Sequence, residues 1–202
     1  MQDNQTDRGI PTWVIGLACA LIFAAGLLVA TRARAQEAPS MPNLSGLYVG
    51  GSVGHTQGEI SAGGPIGLSS SGIAPGAHLG IQLQAGQLVG VLEASYRMYY
   101  GDFDTIGIDK EIALTAMGGF KLTPSTTIFA HISKAKLYTT FADVDGWKFG
   151  PAIQVSVPNS NVDLELRASY GMWDVGSFAP GLDANTYEVM GVVKYRFGGM
   201  FK

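Results

Sequence analysis

The sequence of 202 residues contains little charge and only one cysteine. Charged residues make up 14% of the chain, whereas a soluble domain usually carries about 25%. The single cysteine, Cys19, lies in an N-terminal apolar stretch. Without a second cysteine, neither a disulfide framework nor a cysteine-based zinc site can form. The low charge content excludes a typical water-covered surface.

Signatures of nucleic-acid and cofactor binding are also missing. The formal net charge of −3 provides no basic surface for nucleic acid, so we expect no such partner. The sequence has no P-loop, no dinucleotide-binding fingerprint and no zinc signature. We therefore expect no cofactor and no resident metal. What the chain does have is 28 glycines and a hydrophobic content of 47%, a combination that favours a β-rich protein with little water-facing surface.

The N-terminal segment has the features of a secretory signal peptide. Residues Trp13 to Ala30 are almost continuously apolar, and Ala33 and Ala35 then form an A-x-A site. Cleavage after Ala35 would leave Gln36 as the first mature residue. An apolar run of this length is also just able to span a bilayer, so a retained anchor is the alternative. The predicted organisation is a signal peptide helix over residues 1–35 and a periplasmic lead-in over 36–44, then a barrel over 45–197 and a C-terminal extension over 198–202.

The last strand, Thr186–Phe197, shows the clearest β pattern. Tyr187, Val189, Val193, Tyr195 and Phe197 alternate with residues that are mostly polar or charged, so one face is apolar and the other polar. Its length matches a tilted membrane-spanning strand. Because an open sheet edge is not viable in hydrocarbon, the strand needs a partner on each side.

Seven further segments supply the partners. They are Leu47–Gly54, Ala77–Ala85, Leu88–Tyr100, Glu111–Leu122, Thr127–Tyr138, Trp147–Val157 and Asp163–Trp173. Long and short connections alternate between them, and the longest is a Gly/Ser-rich loop over residues 56–75. This pattern predicts an all-β fold, an eight-stranded antiparallel up-and-down transmembrane β-barrel, with the signal peptide helix before it. Pro151 lies inside the sixth strand, where a ladder normally tolerates proline only at an edge or a bulge.

The two faces of the strands predict which side meets lipid. The apolar face carries aromatic residues near the strand ends, which we expect to form a lipid-facing girdle: Tyr96, Tyr100, Phe120, Tyr170, Tyr187, Tyr195 and Phe197. The opposite face carries charges that we expect to pair inside a narrow lumen: Glu93, Arg97, Glu111, Lys121, Lys148, Glu165, Arg167, Glu188, Lys194 and Arg196. Lys134 and Lys136 fall on the apolar face, and we expect them above the hydrocarbon, where lysine reaches water. A soluble lipocalin-like barrel with its apolar face inward is the alternative.

Several short motifs resemble the small eight-stranded outer-membrane barrels of Gram-negative bacteria. The stretches that carry the resemblance are Leu47–Gly54, Gly76–Gly80, Val91–Ala94 and Lys194–Phe197. The chain resembles most the opacity-protein and outer-membrane-protein-A transmembrane-domain group, including the porin-family proteins of alphaproteobacteria. The resemblance implies the outer membrane as location, with its lipid and lipopolysaccharide as partners. It also implies that insertion machinery reads the final aromatic strand. The signal then ends at Phe197 or, since the chain runs on, at Phe201.

The expected function is non-enzymatic: an envelope-structural or surface-interaction role through the loops, with a possible surface ligand. A narrow channel for small solutes is one alternative. A second alternative is a lipid A-modifying enzyme, because His131-x-Ser133 resembles the His-x-Ser of lipid A deacylases and a histidine can activate such a serine. Asp102, Asp104 and Asp109 are interpreted as a solvated acidic loop rather than a cation site. His55 is expected at the rim and His78 in the lumen.

Overall fold

A computed structural model describes residues 43–61, 67–105, 107–140, 143–175 and 183–198. The predicted signal peptide, with its cleavage site at Ala33, Ala35 and Gln36, lies outside the described residues, and so do residues 199–202. Within the described ranges, no helix is long and apolar enough to cross a membrane.

Eight long strands make up nearly all of the described chain. In chain order they are β1 (Gly46–Ser61), β2 (Gly67–Ala85), β3 (Leu88–Met98), β4 (Ile108–Lys121), β5 (Thr126–Thr139), β6 (Val144–Ser156), β7 (Val162–Trp173) and β8 (Asp183–Gly198). A two-residue segment, Tyr100–Gly101, continues the course of β3 and pairs with β2. The short helix α1 (Asp102–Thr105) follows it.

The strands form a closed antiparallel barrel. Each strand pairs with the next along the chain, and β1 also pairs with β8. Tyr48 on β1, for example, lies opposite Gly80 on β2 and Arg196 on β8. Closure leaves none of the eight strands as a free edge. The prediction of an eight-stranded antiparallel up-and-down barrel is confirmed.

The connections define two ends of the barrel. We call turn side the end that holds residues 86–87, 122–125 and 157–161, together with the first residue of β1 and the last of β8. We call loop side the opposite end, where β1 meets β2, β3 meets β4, β5 meets β6 and β7 meets β8. The predicted strand count therefore places both ends of the barrel chain at the turn side.

The first two strands are longer than the sequence predicted. Residues 56–75 were expected to form a loop, but β1 continues to Ser61 and β2 begins at Gly67. The expectation of a loop was wrong. It was based on the lack of apolar alternation in this stretch, but backbone hydrogen bonding between strands does not require such alternation. Its glycines also have a packing role: a Cβ at Gly72 would lie 2.8 Å from the Phe103 ring, and one at Gly58 would lie 3.2 Å from it. The glycines leave space for the Phe103 ring of α1.

Two details of the middle strands also differ from expectation. The third strand was expected to run without a break to Tyr100, but regular pairing with β4 stops at Met98. Pro151 lies in a strand that has neighbours on both sides, and β6 shows no register shift there. Pro151 pairs with Ala130 on β5, while the register with β7 passes from Phe149–Tyr170 directly to Ala152–Arg167. Because proline has no N–H donor, the ladder between β6 and β7 is interrupted at Pro151, whereas the ladder between β5 and β6 is continuous.

Side chains alternate between an apolar outer surface and a polar lumen. Leu92 is 59% exposed and its neighbour Glu93 is 1% exposed; Leu114 is 64% exposed and Thr115 is 1% exposed. In a soluble protein the larger apolar side chain of each pair would be the buried one. In this barrel the apolar side chain of each pair is the exposed one, and the charged groups lie in the lumen.

Candidate functional site: the charged lumen

The loop-side half of the lumen contains four charged side chains in contact, the loop-side cluster of Arg97, Glu111, Lys148 and Glu188. Arg97 pairs with both Glu111 and Glu188. Lys148 Nζ lies 2.5 Å from Glu188 Oε2 and 3.4 Å from Glu111 Oε1. The Tyr99 hydroxyl donates a 2.7 Å hydrogen bond to Glu111 Oε2. Two cations and two anions cancel, so the cluster is neutral.

A second group, the turn-side cluster, consists of Glu93, Glu165, Arg167 and Lys194. Arg167 bridges the two carboxylates, at 3.0 Å from Glu93 Oε1 and 2.6 Å from Glu165 Oε1. Lys194 Nζ lies 2.6 Å from Glu165 Oε2 and 4.7 Å from the centre of the Tyr48 ring. These four side chains are at most 4% exposed. This cluster also holds two cations and two anions, so it is neutral. Buried charges are tolerated when they are paired and hydrogen-bonded in this way.

Two further predicted lumen cations lie near the turn side. Arg196 is half-buried, and its Nε lies 2.5 Å from Asp163 Oδ2. Lys121 is 1% exposed. All ten charged residues that the sequence assigned to the lumen therefore point inward, and eight of them are brought together in the two clusters.

His78 was expected in the lumen but not in the charge network, and Asp163, Tyr48 and Tyr99 were not named among the network residues. The Tyr48 hydroxyl donates to Glu93 Oε2 at 2.7 Å, and His78 Nδ1 lies 3.0 Å from Glu93 Oε1. Asp163 shares strand parity with Glu165 and Arg167, so the alternation contained the signal for it. The tyrosines had the correct parity too, but their polar role depends on which carboxylate lies across the lumen.

A glycine makes the position of Tyr48 feasible. Tyr48 lies opposite Gly80 on the neighbouring strand, and a Cβ there would come within 2.5 Å of the Tyr48 ring carbon Cζ and of its hydroxyl. Small residues beside large ones are the usual way in which a narrow barrel fills its interior. Gly80 therefore allows the Tyr48 ring to lie across the lumen and reach Glu93.

The described lumen leaves very little free volume between the clusters. A cavity of about 10 Å³ lies beside Arg97, Arg167 and His131, which is at the lower limit for one water molecule. Between the two clusters the interior is therefore packed rather than open, as expected for eight strands.

His131 and Ser133 do not form a catalytic pair in this arrangement. Both are 5% exposed in the lumen. His131 Nε2 lies 3.1 Å from Ser169 Oγ, and Ser133 Oγ lies 2.8 Å from Thr115 Oγ1. Each side chain has a different partner, and the packed lumen gives a lipid no access to either.

The outer surface carries the predicted aromatic girdle residues. Tyr96, Tyr100, Tyr170 and Tyr187 lie toward the loop side, and Phe120, Tyr195 and Phe197 lie toward the turn side. The rings of Tyr170 and Tyr187 are 5.1 Å apart and those of Tyr195 and Phe197 are 5.4 Å apart. Trp147 and Phe149 on β6 join the loop-side group, at 47% and 43% exposed. Neither residue was among the girdle residues predicted from the sequence.

Among the residues that the structure describes, charged side chains on the outer surface lie toward the loop side. Lys134 Nζ lies 3.8 Å from Asp145 and 5.3 Å from the Trp147 ring, and Lys136 Nζ lies 3.0 Å from Asp143. His55 also points outward and is exposed.

The predicted acidic loop forms part of α1 and its flanks. Asp102 Oδ2 accepts a hydrogen bond from the backbone of Ser71 at 3.3 Å. Across the ranges that the structure describes, no group of three or more His, Cys, Asp or Glu side chains is arranged to hold a metal ion.

Comparison with known proteins shows solved structures that are similar in fold but identifies no family. No family model matches the chain, and no curated protein matches it. The chain is similar to the crystal structure of Neisserial surface protein A, at 19% identity and a TM-score of 0.49 over 76% of this chain and 98% of that one. It is also similar to Ail, the attachment invasion locus protein of Yersinia pestis, at 15% identity and a TM-score of 0.37 over 73% of this chain and 98% of that one. A third similar structure is a de novo designed transmembrane β-barrel, at 12% identity and a TM-score of 0.33 over 73% of this chain and 94% of that one.

Proposed function

We propose that this protein is a non-enzymatic outer-membrane β-barrel that anchors its loop side as an interaction surface on a Gram-negative cell. The observation that carries the proposal is the distribution of side chains, with apolar residues on the outer surface and charged residues in the lumen. Between the two ends of the barrel, the exposed outward-facing side chains are mostly large and apolar, while the carboxylates, arginines and lysines of that region are mostly buried in the lumen. Such an outer surface is stable against lipid tails and would associate in water.

The closed strand order supports membrane insertion independently of the side chains. Hydrocarbon offers no partner for a free backbone N–H or C=O, so a sheet within it must close. Here β1 pairs with β8 over its full length, from Gly46–Gly198 to Ser61–Asp183. The lipocalin-like alternative also closes, but it requires the apolar face in the lumen.

The packed lumen supports an anchor rather than a channel. Each of the two charge clusters crosses the barrel interior with its charges paired within the cluster, and the cavity between the clusters has room for about one water molecule. A solute would have to separate buried ion pairs to pass. The loop side is then the part of the protein that is available to partners.

The outer-surface lysines support lipopolysaccharide as a partner. Lys134, beside Trp147, and Lys136, beside Tyr138, lie just beyond the apolar band, at the height where an aromatic girdle meets lipid headgroups. Their side chains are 47% and 40% exposed despite their carboxylate neighbours. The opacity-protein and outer-membrane-protein-A group, in its alphaproteobacterial form, is the family we propose on the motifs described above.

Fractionation with heat-modifiable gel migration tests location and fold together. We expect the protein in outer-membrane fractions, with different mobility before and after boiling, because the closed barrel resists detergent until heated. Recovery in a detergent-free soluble fraction would contradict membrane insertion.

Planar-bilayer recording and lipid A mass spectrometry test the anchor role against its alternatives. The purified barrel is expected to give no discrete conductance steps, and overexpression is expected to leave lipid A masses unchanged. Stepwise conductance would establish the channel instead, and a new lipid A species would establish an enzyme.

A further inference from the structure

The loop-side end of the lumen contains an apolar chamber. Its volume is about 160 Å³, and its walls include Phe103, Ile108, Leu137, Val144, Trp173 and Val175. These residues come from α1, from the loop-side ends of β4 to β7 and, for Val175, from the segment just after β7. The charged character of the lumen therefore ends above the loop-side cluster and gives way to hydrocarbon and aromatic side chains.

The floor of the chamber has its polar groups turned away and paired. Trp173 Nε1 donates to Thr186 Oγ1 at 3.1 Å. The Tyr99 ring lies 5.3 Å from the Phe103 ring while its hydroxyl bonds Glu111. Glu111 itself is neutralised by Arg97 and Lys148. The chamber therefore presents mainly ring faces and methyl groups, and Glu59, the charged residue among the described residues that line it, holds an exposed position on β1 at the same strand parity as the outward-pointing His55.

The chamber cannot close by collapse of its walls. In an ordinary core, neighbouring elements move together to reduce an unfilled volume, since lining atoms without partners lose dispersion energy. In a closed barrel, the strand number and register fix the diameter. The small side chain of Ala184 in the wall then leaves space that the strands have no freedom to remove.

We propose that this chamber binds one small uncharged apolar molecule, about the size of a single aromatic ring. An apolar cavity of about 150 Å³ in another protein stays dry and binds benzene, so the volume fits this class of ligand. Phe103 and Trp173 offer ring faces for stacking or edge contacts. The mainly apolar lining favours a neutral ligand. This binding role goes beyond loop presentation and does not depend on it.

Iodobenzene is a direct probe because iodine quenches tryptophan fluorescence on contact. The chain has three tryptophans, of which Trp173 lines the chamber and Trp147 lies on the outer surface. The test uses the full chain with Trp13→Phe and Trp147→Phe, reconstituted in lipid nanodiscs, so that Trp173 is the sole emitter. We expect quenching that saturates with one iodobenzene per protein.

Two variants that fill the chamber and one matched control identify the site. Ala184→Leu and Val175→Phe add volume inside the chamber, and we expect each to raise the half-saturating concentration at least tenfold. Ala94→Leu adds the same atoms as Ala184→Leu on the exposed outer surface of β3 and is expected to change nothing. Heat-modifiable migration establishes that each variant is folded before titration.

Two results would overturn the proposal. One is quenching that rises linearly without saturation and equally in parent and variants, which is partition into lipid alone. The other is saturable quenching that both folded chamber variants retain at the parent's concentration.

Discussion

At the residue scale, Arg97 is the side chain that holds most of the loop-side cluster together. It pairs with Glu111 and Glu188, and all three are at most 3% exposed. Burial of a charge is costly, and the attraction of its partners offsets the cost only while the set is complete. Removing one member therefore leaves an uncompensated charge.

Replacement of Arg97 with leucine should destabilise the barrel strongly. Lys148 would be the only cation left in the cluster for two carboxylates, so the expected loss is about 3–5 kcal/mol of unfolding free energy. Urea unfolding from lipid vesicles measures it.

The matched control for Arg97→Leu is Lys136→Met. The Lys136–Asp143 pair is 40% and 47% exposed, and exposed pairs contribute about 0–1 kcal/mol. Equal losses in the two variants would contradict the role assigned to the buried cluster.

Gly80 gives a second residue-scale prediction. Gly80→Ala places a methyl group 2.5 Å from the Tyr48 ring and 2.8 Å from the Leu92 carbonyl oxygen, so we expect a loss of about 1–3 kcal/mol from overpacking. The same unfolding assay applies. Gly90→Ala is the control, because nothing lies within 4 Å of a Cβ there, and it should stay near the parent. A Gly80→Ala variant as stable as Gly90→Ala would show that the close approach is not needed.

At the scale of the element, β1 and β2 form the longest hairpin of the barrel, with 16 and 19 residues. A tilted strand needs about 9–11 residues to cross the hydrocarbon. The apolar outer surface ends near Val53 on β1 and Ile73 on β2, and exposed Glu59 and Ser69 lie beyond it. The hairpin should therefore extend past the membrane on the loop side.

Cysteine labelling in intact cells tests this extension. In a Cys19→Ser background, we expect a membrane-impermeant maleimide to label Ser69→Cys on whole cells. Asn159→Cys, in a connection at the turn side, should be labelled only after lysis. Labelling of Asn159→Cys but not of Ser69→Cys in intact cells would reverse the proposed orientation.

Strand alternation was enough to predict the barrel and the direction of each lumen charge, because parity alone decides which face a side chain occupies. It did not reveal the hairpin extension, where both faces are polar. It also did not reveal that Tyr48 reaches Glu93 or that Asp163 meets Arg196, since these contacts depend on cross-strand register and on the space at Gly80. Phe103 shows the same limit, because its position depends on glycines of two other strands.

At the scale of the whole molecule, the central claim is that the outer surface of the barrel contacts lipid. Along β3, side chains alternate without exception between exposed and buried. Leu88, Leu92 and Tyr96 are exposed, while Glu93 and Arg97 are buried. A membrane barrel and a soluble barrel differ in the solvent that the exposed set contacts, and that difference is measurable residue by residue.

A nitroxide scan of β3 in reconstituted vesicles measures most directly whether lipid or water surrounds each exposed position. Single spin labels from Leu88 to Met98 are compared for collision with oxygen, which concentrates in hydrocarbon, and with a water-soluble nickel chelate. We predict high oxygen and low nickel accessibility at the even-numbered positions, and low accessibility to both at the odd-numbered positions. High nickel accessibility at positions 90, 92 and 94 would show that water covers the outer surface and would contradict the membrane barrel.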